Sequence, residues 1–125
     1  MSKYHNQKVK TADGIEHDSR KEARRWSLLK LLEKGGAINE LQRQVEFELI
    51  PAQYETYERW GKNGRRLKDG TKLLERRCCY IADFVYIDAK TGQKVVEDTK
   101  GVKTKDYTIK RKLMLYVHHI RIKEV

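Results

Sequence analysis

Two runs of strand-forming residues joined by a four-residue loop constrain this chain more than any other feature. Cys79-Tyr-Ile-Ala-Asp83-Phe-Val-Tyr-Ile87 and Lys94-Val-Val-Glu-Asp98-Thr-Lys100 read as strands of about 78–87 and 93–100. Ala89-Lys-Thr-Gly92 between them suits a tight hairpin. With Asp88 paired to Gln93, every antiparallel pair has the same index sum. Val85 then falls opposite Val96, and Asp83 opposite Asp98. Opposed residues have Cβ atoms about 4.5–5.5 Å apart on one face of the sheet. Lys100, two residues beyond Asp98, shares that face. Two facing carboxylates repel and destabilise a sheet unless something cationic lies between them.

The flanking segments fill out an architecture. Residues 1–17 form a basic arm or a small hairpin about Asp13-Gly14, with Lys3, Lys8 and Lys10 available to phosphate. Ser19 to about Lys34 is the clearest helix. Ser19 and Glu22 have capping-box spacing, and Trp26, Leu29 and Leu32 recur at helical intervals, widened by Ala23, Leu28 and Leu31. Gly35-Gly36 ends it. Gln44 to Ile50 alternates as a half-buried strand and stops at Pro51. Residues 51–77 carry Tyr54, Tyr57 and Trp60 among many Lys and Arg, and read as a basic insertion of two extended arms or a short helix. Lys103 to about Val117 predicts a second helix with an apolar stripe of Ile109, Leu113, Tyr116 and Val117. His119–Val125 predicts a last strand, with Ile120 and Ile122 inward. The order helix, three strands, helix, strand predicts a single α/β domain over 1–125, with a mixed four-stranded sheet flanked by helices.

Charge and cysteine usage narrow the function. The 125 residues carry 28 Lys and Arg against 18 Asp and Glu, a net charge of +10. Such an excess favours a polyanionic partner, most often nucleic acid. No apolar run approaches the ~20 residues of a membrane span, and Met1–Asn6 has no apolar signal core. Adjacent Cys78 and Cys79 suit neither a structural disulfide nor a zinc site. These features point to an intracellular, cytoplasmic protein without a membrane partner.

Oxygen-only ligands such as Asp83 and Asp98 suit Mg²⁺, with Mn²⁺ as the alternative, and the Thr99 carbonyl could add another oxygen. Such a cation acidifies water and offsets charge on a phosphate. Lys100 could orient that water or stabilise the transition state. Glu22 in the first helical turn is either a metal or water ligand or simply a capping residue. Arg65, Arg66, Lys103, Lys105, Lys110 and Lys112 are candidate phosphate contacts. Glu97 points away from Asp98, towards solvent or a basic side chain, and Gln44, at the start of its strand, could reach the site but reads first as an ordinary edge glutamine. Tyr107 could also meet DNA, and His118-His119 reads as structural. There is no Ser/His/Asp arrangement and no glycine-rich phosphate loop.

At these residues the chain resembles the PD-(D/E)XK nuclease superfamily, whose common core is αβββαβ and restriction-endonuclease-like. Within it the sequence is similar to small phage- and prophage-encoded, Holliday-junction-resolvase-like proteins. The matching stretches are Asp18–Arg25, Gln44–Pro51, Tyr80–Phe84, Val95–Gly101 and the basic helix that follows. The resemblance implies Asp83 and Asp98 as the two motif acids, Lys100 as the motif lysine and Glu22 as a helix-borne acid. Ala82 stands where the motif's proline would be, and no ligand is lost by that change. The implied activity is Mg²⁺-dependent cleavage of DNA, on branched DNA in resolvase-like members; junction resolution takes two cuts and would call for a homodimer. Two rivals are a non-catalytic nucleic-acid-binding module on the same fold and an interaction subunit of a phage DNA-processing complex.

Overall fold

The computed structural model describes residues 8–125; Lys3 lies outside them. Strands β1 (Val9–Lys10) and β2 (Glu16–His17) pair antiparallel around a turn in which Gly14 takes φ +85°. Helix α1 (Arg20–Lys34) follows, with the Ser19 hydroxyl accepting the Glu22 amide at 3.2 Å. Such a cap satisfies one of the donors left free in a first helical turn. Gly36, at φ +83°, turns the chain out of the helix. The ribbon is tied to α1 by the Trp26 indole, which donates to Asp13 at 2.6 Å.

Strand β3 (Ile38–Ile50) begins six residues before the expected Gln44. Its first half carries no apolar alternation because it is an irregular edge, with Glu40 and Gln44 both at positive φ. Strands β4 (Gln53–Trp60) and β5 (Arg66–Glu75) pair only with each other. The 51–77 stretch is therefore two extended arms, paired with each other as one long antiparallel hairpin. Strands β6 (Cys78–Asp88) and β7 (Lys94–Asp98), helix α2 (Lys105–His118) and strand β8 (Lys123–Glu124) complete the chain.

The central sheet has the order β3-β6-β7-β8, with the first three strands antiparallel and β8 parallel to β7. A parallel neighbour needs a crossover, and α2 provides it. The result is the α/β domain with a mixed four-stranded sheet that the element order predicts, accompanied by two small ribbons. One face of the sheet is covered by α1, through Trp26 and Leu29 on Ile38, Phe84 and Tyr86. The other is covered by α2, through Tyr107 and Met114 on Leu49, Tyr80, Val85, Val96 and Ile122.

The apolar faces of both helices differ from their sequence reading. Leu28 and Leu31 of α1 are exposed, as are Ile109, Tyr116 and Val117 of α2. In α2 the buried pair is Tyr107 and Met114, seven residues apart, and the Tyr107 hydroxyl donates to Glu124 at 2.8 Å. A tyrosine with a partner for its hydroxyl can be buried, and that partner lies 17 residues away on β8. The last strand is also shorter than expected, although Ile122 is buried.

Candidate metal centre

The β6–β7 register is the predicted one. Phe84 pairs with Glu97, Val85 with Val96 and Ile87 with Lys94. Asp83 and Asp98 are the next step in that ladder, where β7 ends.

At Asp83 the alternation of β6 breaks. Tyr80 and Ala82 belong to the core under α2, whereas Phe84 and Tyr86 belong to the core under α1. All four are even-numbered and would share one face of a regular strand. Across the sheet, Arg43 pairs with Phe84 and Val45 with Ala82, which leaves Gln44 facing Asp83 at φ +54°. Positive φ in a non-glycine residue is uncommon and marks strain that its surroundings must sustain. The acid thus stands on a paired irregularity of both strands, where the side-chain phase changes from one core to the other.

The two acids are held by different donors. One Asp83 oxygen accepts from both the amide and the hydroxyl of Thr99, each at 2.8 Å. Asp98, fully buried, accepts the Lys100 amide at 2.9 Å on one oxygen and the Tyr80 hydroxyl at 2.5 Å on the other. Burial pushes the Asp98 pKa up, and the Asp83 charge adds to the rise, against the lowering by Tyr80 and Lys100. Burial and the Asp98 charge push the Tyr80 phenol up, so it remains a donor.

Glu22 is the third acid. It is buried in the first turn of α1, one helical turn from Trp26 and on the same side. The Gln44 amide donates to its carboxylate at 3.3 Å, and the ring of buried His17 approaches it at 3.7 Å. The Ser19 hydroxyl makes its half of the cap, while the Glu22 carboxylate is turned to these partners instead. Burial and then the charges of Asp83 and Asp18 raise its pKa from 4.5 to about 7. Burial holds the His17 imidazole below its ordinary value, so it is neutral at pH 7. Glu22 and Asp83 line one cleft of about 310 Å³ with Asp18, Lys21, Thr99 and Lys100.

The raised Glu22 pKa has a definite consequence for stability. In metal-free buffer, folding weakens as pH rises through the window from 4.5 to about 7, because the folded state holds the proton more tightly than the unfolded chain. Glu22→Gln removes that loss and is expected to raise stability at pH 8 by on the order of 1–3 kcal/mol. Urea denaturation at pH 5 and pH 8 reads it. Parallel shifts of wild type and Glu22→Gln between the two pH values would mean an ordinary carboxyl.

The donor chemistry fits a hard divalent cation: acidic oxygens, with Thr99 holding Asp83 in place. The three acids are not gathered into one ligand set, however. Among the described residues no three His, Cys, Asp or Glu side chains stand close enough to hold a metal ion. Mg²⁺ commonly takes only one or two carboxylates, with waters and substrate phosphate completing its sphere. Asp83 lines the cleft with Glu22 as a neighbour, and Asp98 is buried, its two oxygens accepting from Tyr80 and Lys100.

Lys100 lies just past the end of β7 rather than on it, exposed, with its ammonium 5.7 Å from the Tyr107 ring centre. It borders both the acidic cleft and an adjoining one of about 450 Å³ that includes Arg77, Tyr80, Tyr107 and Lys110. The other expected phosphate contacts are dispersed. Lys103 pairs with Glu124 at 3.4 Å, and Lys112 lines a separate groove with Arg121. Lys105 is exposed at the start of α2. Arg65 and Arg66 lie at the far end of the β4–β5 hairpin, where Arg66 already pairs with Asp69 at 2.6 Å. Only Lys110 of these six borders a cleft beside Lys100.

Sequence reasoning undervalued three residues. Gln44 reads first as an edge glutamine that could reach the site, and its amide does meet Glu22 while its backbone faces Asp83. Tyr80 shows no signal, because the phase break hides which core it joins. His17 shows none either, since its contact with Glu22 depends on how the ribbon folds onto α1.

Comparison with known proteins gives a family and nothing finer. No curated protein and no solved structure matches the chain. A family model described as "Protein of unknown function (DUF1064)" matches residues 1–124.

Proposed function

We propose that this chain, which belongs to the DUF1064 family, is a metal-dependent endonuclease that hydrolyses DNA phosphodiesters. The observation that carries this reading is the placement of Asp83, in the middle of β6 one step beyond the Phe84–Glu97 pair, beside Asp98 at the end of β7, with Lys100 just past it and Glu22 in the same cleft as Asp83. Two coupled acids at a sheet end, one of them fully buried, call for a cation. The αβββαβ order supports membership of the PD-(D/E)XK superfamily, and the charge of +10 supports a polyanionic substrate.

In this mechanism Asp83 and Asp98 would hold Mg²⁺ or Mn²⁺, with the Thr99 carbonyl as a further oxygen. Such a cation would supply positive charge to the phosphate and make water more acidic. Thr99 and Tyr80 fix the rotamers of the two acids. Lys100, free to reach into the cleft, offsets negative charge on the non-bridging phosphate oxygens as water attacks. Glu22, which lines the cleft and is held by the Gln44 amide, would take the proton from that water. Lys110 extends the basic path along the substrate backbone. Contacts of this kind weaken steeply with salt.

The test is incubation of purified protein with plasmid, linear duplex and four-way-junction DNA in Mg²⁺, Mn²⁺ or EDTA. Metal-dependent strand cleavage is expected. Preference for the junction, cut in two places by a homodimer, would place the protein with the resolvase-like members. A phage origin and action in the host cytoplasm belong to that same reading. The separation of Glu22 from the acid pair favours one alternative, a non-catalytic nucleic-acid-binding module. DNA binding unchanged by metal, with no cleavage of any substrate, would select it.

A further inference from the structure

The β4–β5 hairpin is a ribbon in search of a covering. Among the described residues its strands pack on each other and make no extensive contact with either helix or the central sheet. A two-stranded ribbon is marginal in water by itself. Yet this one leaves Tyr54 61%, Tyr57 48% and Trp60 59% exposed. Residues 53–77 carry eight Lys and Arg against four Asp and Glu.

The aromatics are ordered on the ribbon. By the alternation of β4, Tyr54 and Trp60 fall on one face six residues apart, roughly 20 Å of strand; the register shift between Tyr57 and Arg59 puts its extra residue on β5. Opposite Tyr54 lies Leu73, and between the two rings lie Thr56 and Thr71. Glu58 is the one acid of β4 on this face. At the far end the Arg66 guanidinium lies 5.3 Å from the Trp60 ring centre. It is pinned there by Asp69 and by the Leu67 carbonyl, each at 2.6 Å. Arg66 thus lies over the indole, and Trp60 is still 59% exposed. Tyr57 is on the opposite face, its ring seated over Gly70, where a Cβ would come within 2.4 Å of the ring.

We propose that this face is a stacking platform for unpaired nucleic-acid bases, with Trp60 and Tyr54 as the stacking rings. Flat aromatic faces accept any base, and Lys62, Arg65 and Lys68 at the Trp60 end of the ribbon supply positive charge for the backbone. A protein partner would be expected to want a continuous apolar patch; here two threonines and a glutamate separate the rings. The proposal deepens the nuclease reading by naming its substrate class, DNA with single-stranded segments. Binding without cleavage tests it alone.

The chain contains two tryptophans, and Trp26 is buried, so quenching by an oligonucleotide reports on Trp60. In EDTA, an oligothymidylate of about 16 nucleotides, the upper end of the run one single-strand-binding fold covers, should quench the fluorescence. A duplex of equal length should quench it far less. Trp60→Ala should weaken oligothymidylate binding about 5- to 150-fold, the range for losing one stacked base, and Trp60→Phe should restore most of it. Tyr54→Ala should weaken it as well. Binding without quenching, unchanged affinity in Trp60→Ala, or self-association that buries Trp60 would each overturn the platform. Cleavage activity is read separately, in Mg²⁺, so loss of stacking with cleavage intact condemns only this inference.

Discussion

Asp98→Asn is expected to lower metal-dependent cleavage by about 10²–10³-fold, the effect of deleting one charge-stabilising group from a catalytic site, while the protein stays folded. The side chain is shaped for this substitution. Asparagine keeps an oxygen for the Lys100 amide, and the Tyr80 hydroxyl can turn to accept from the new amide. What disappears is the negative charge that burial and Asp83 already disfavour. A raised carboxyl pKa costs stability once pH exceeds it, so the variant should be at least as stable as wild type above the ordinary carboxyl range. An inactive but undiminished fold is the usual mark of a strained functional charge. Cleavage rates beside urea midpoints read both halves. Full activity in Asp98→Asn would remove Asp98 from the site, and loss of folding would make it structural.

Arg25→Ala is expected to cost about 3–5 kcal/mol, the penalty for leaving a buried charge without its partner. Glu97 is fully buried, and Arg25 meets it with two nearly parallel bonds of 2.7 and 2.6 Å. The Tyr86 hydroxyl also donates to Glu97. This fork between α1 and β7 is made of strong, charge-assisted bonds. Without Arg25, Glu97 keeps only the phenol, and a loss of that size is a large share of the 5–15 kcal/mol that holds a typical domain. The pair also positions Glu22. Glu22, Arg25, Trp26 and Leu29 form one face of α1, so the fork fixes where that face sits on the sheet. Denaturation of Arg25→Ala and of the double variant Arg25→Ala/Glu97→Gln checks it. The double variant should recover much of the loss, since no buried charge remains. A cost below about 1 kcal/mol in Arg25→Ala would mean the pair behaves like an exposed one.

The sequence shows the frame of this fold and hides its joints. The hairpin register is legible because a short loop between two strand runs leaves one pairing, and Phe84↔Glu97 follows it. The central order is legible because helix, meander and crossover have distinct periods. The faces of α2 are not, because Tyr107 is buried only by virtue of Glu124, a partner the chain reaches after the crossover. Glu97 illustrates the same limit. Alternation correctly turns it away from Asp98, and a basic partner is one of its two expected fates. Its complete burial depends on Arg25, 72 residues earlier. The phase break at Asp83 is invisible for a related reason. It depends on a positive φ at Gln44 in the neighbouring strand, and nothing in Gln44 itself demands one.

The ends of the β4–β5 excursion lie side by side. Ile50 and Cys78 are direct partners across β3 and β6, so the ribbon leaves and re-enters the sheet at a single point. A short turn could bridge that gap, and both core layers lie elsewhere. The ribbon is in that sense a cartridge: a lineage could lengthen it, exchange its aromatics or discard it without disturbing the acids at the end of β7. Changes in the ribbon and changes around the acids can then proceed on separate parts of one small domain.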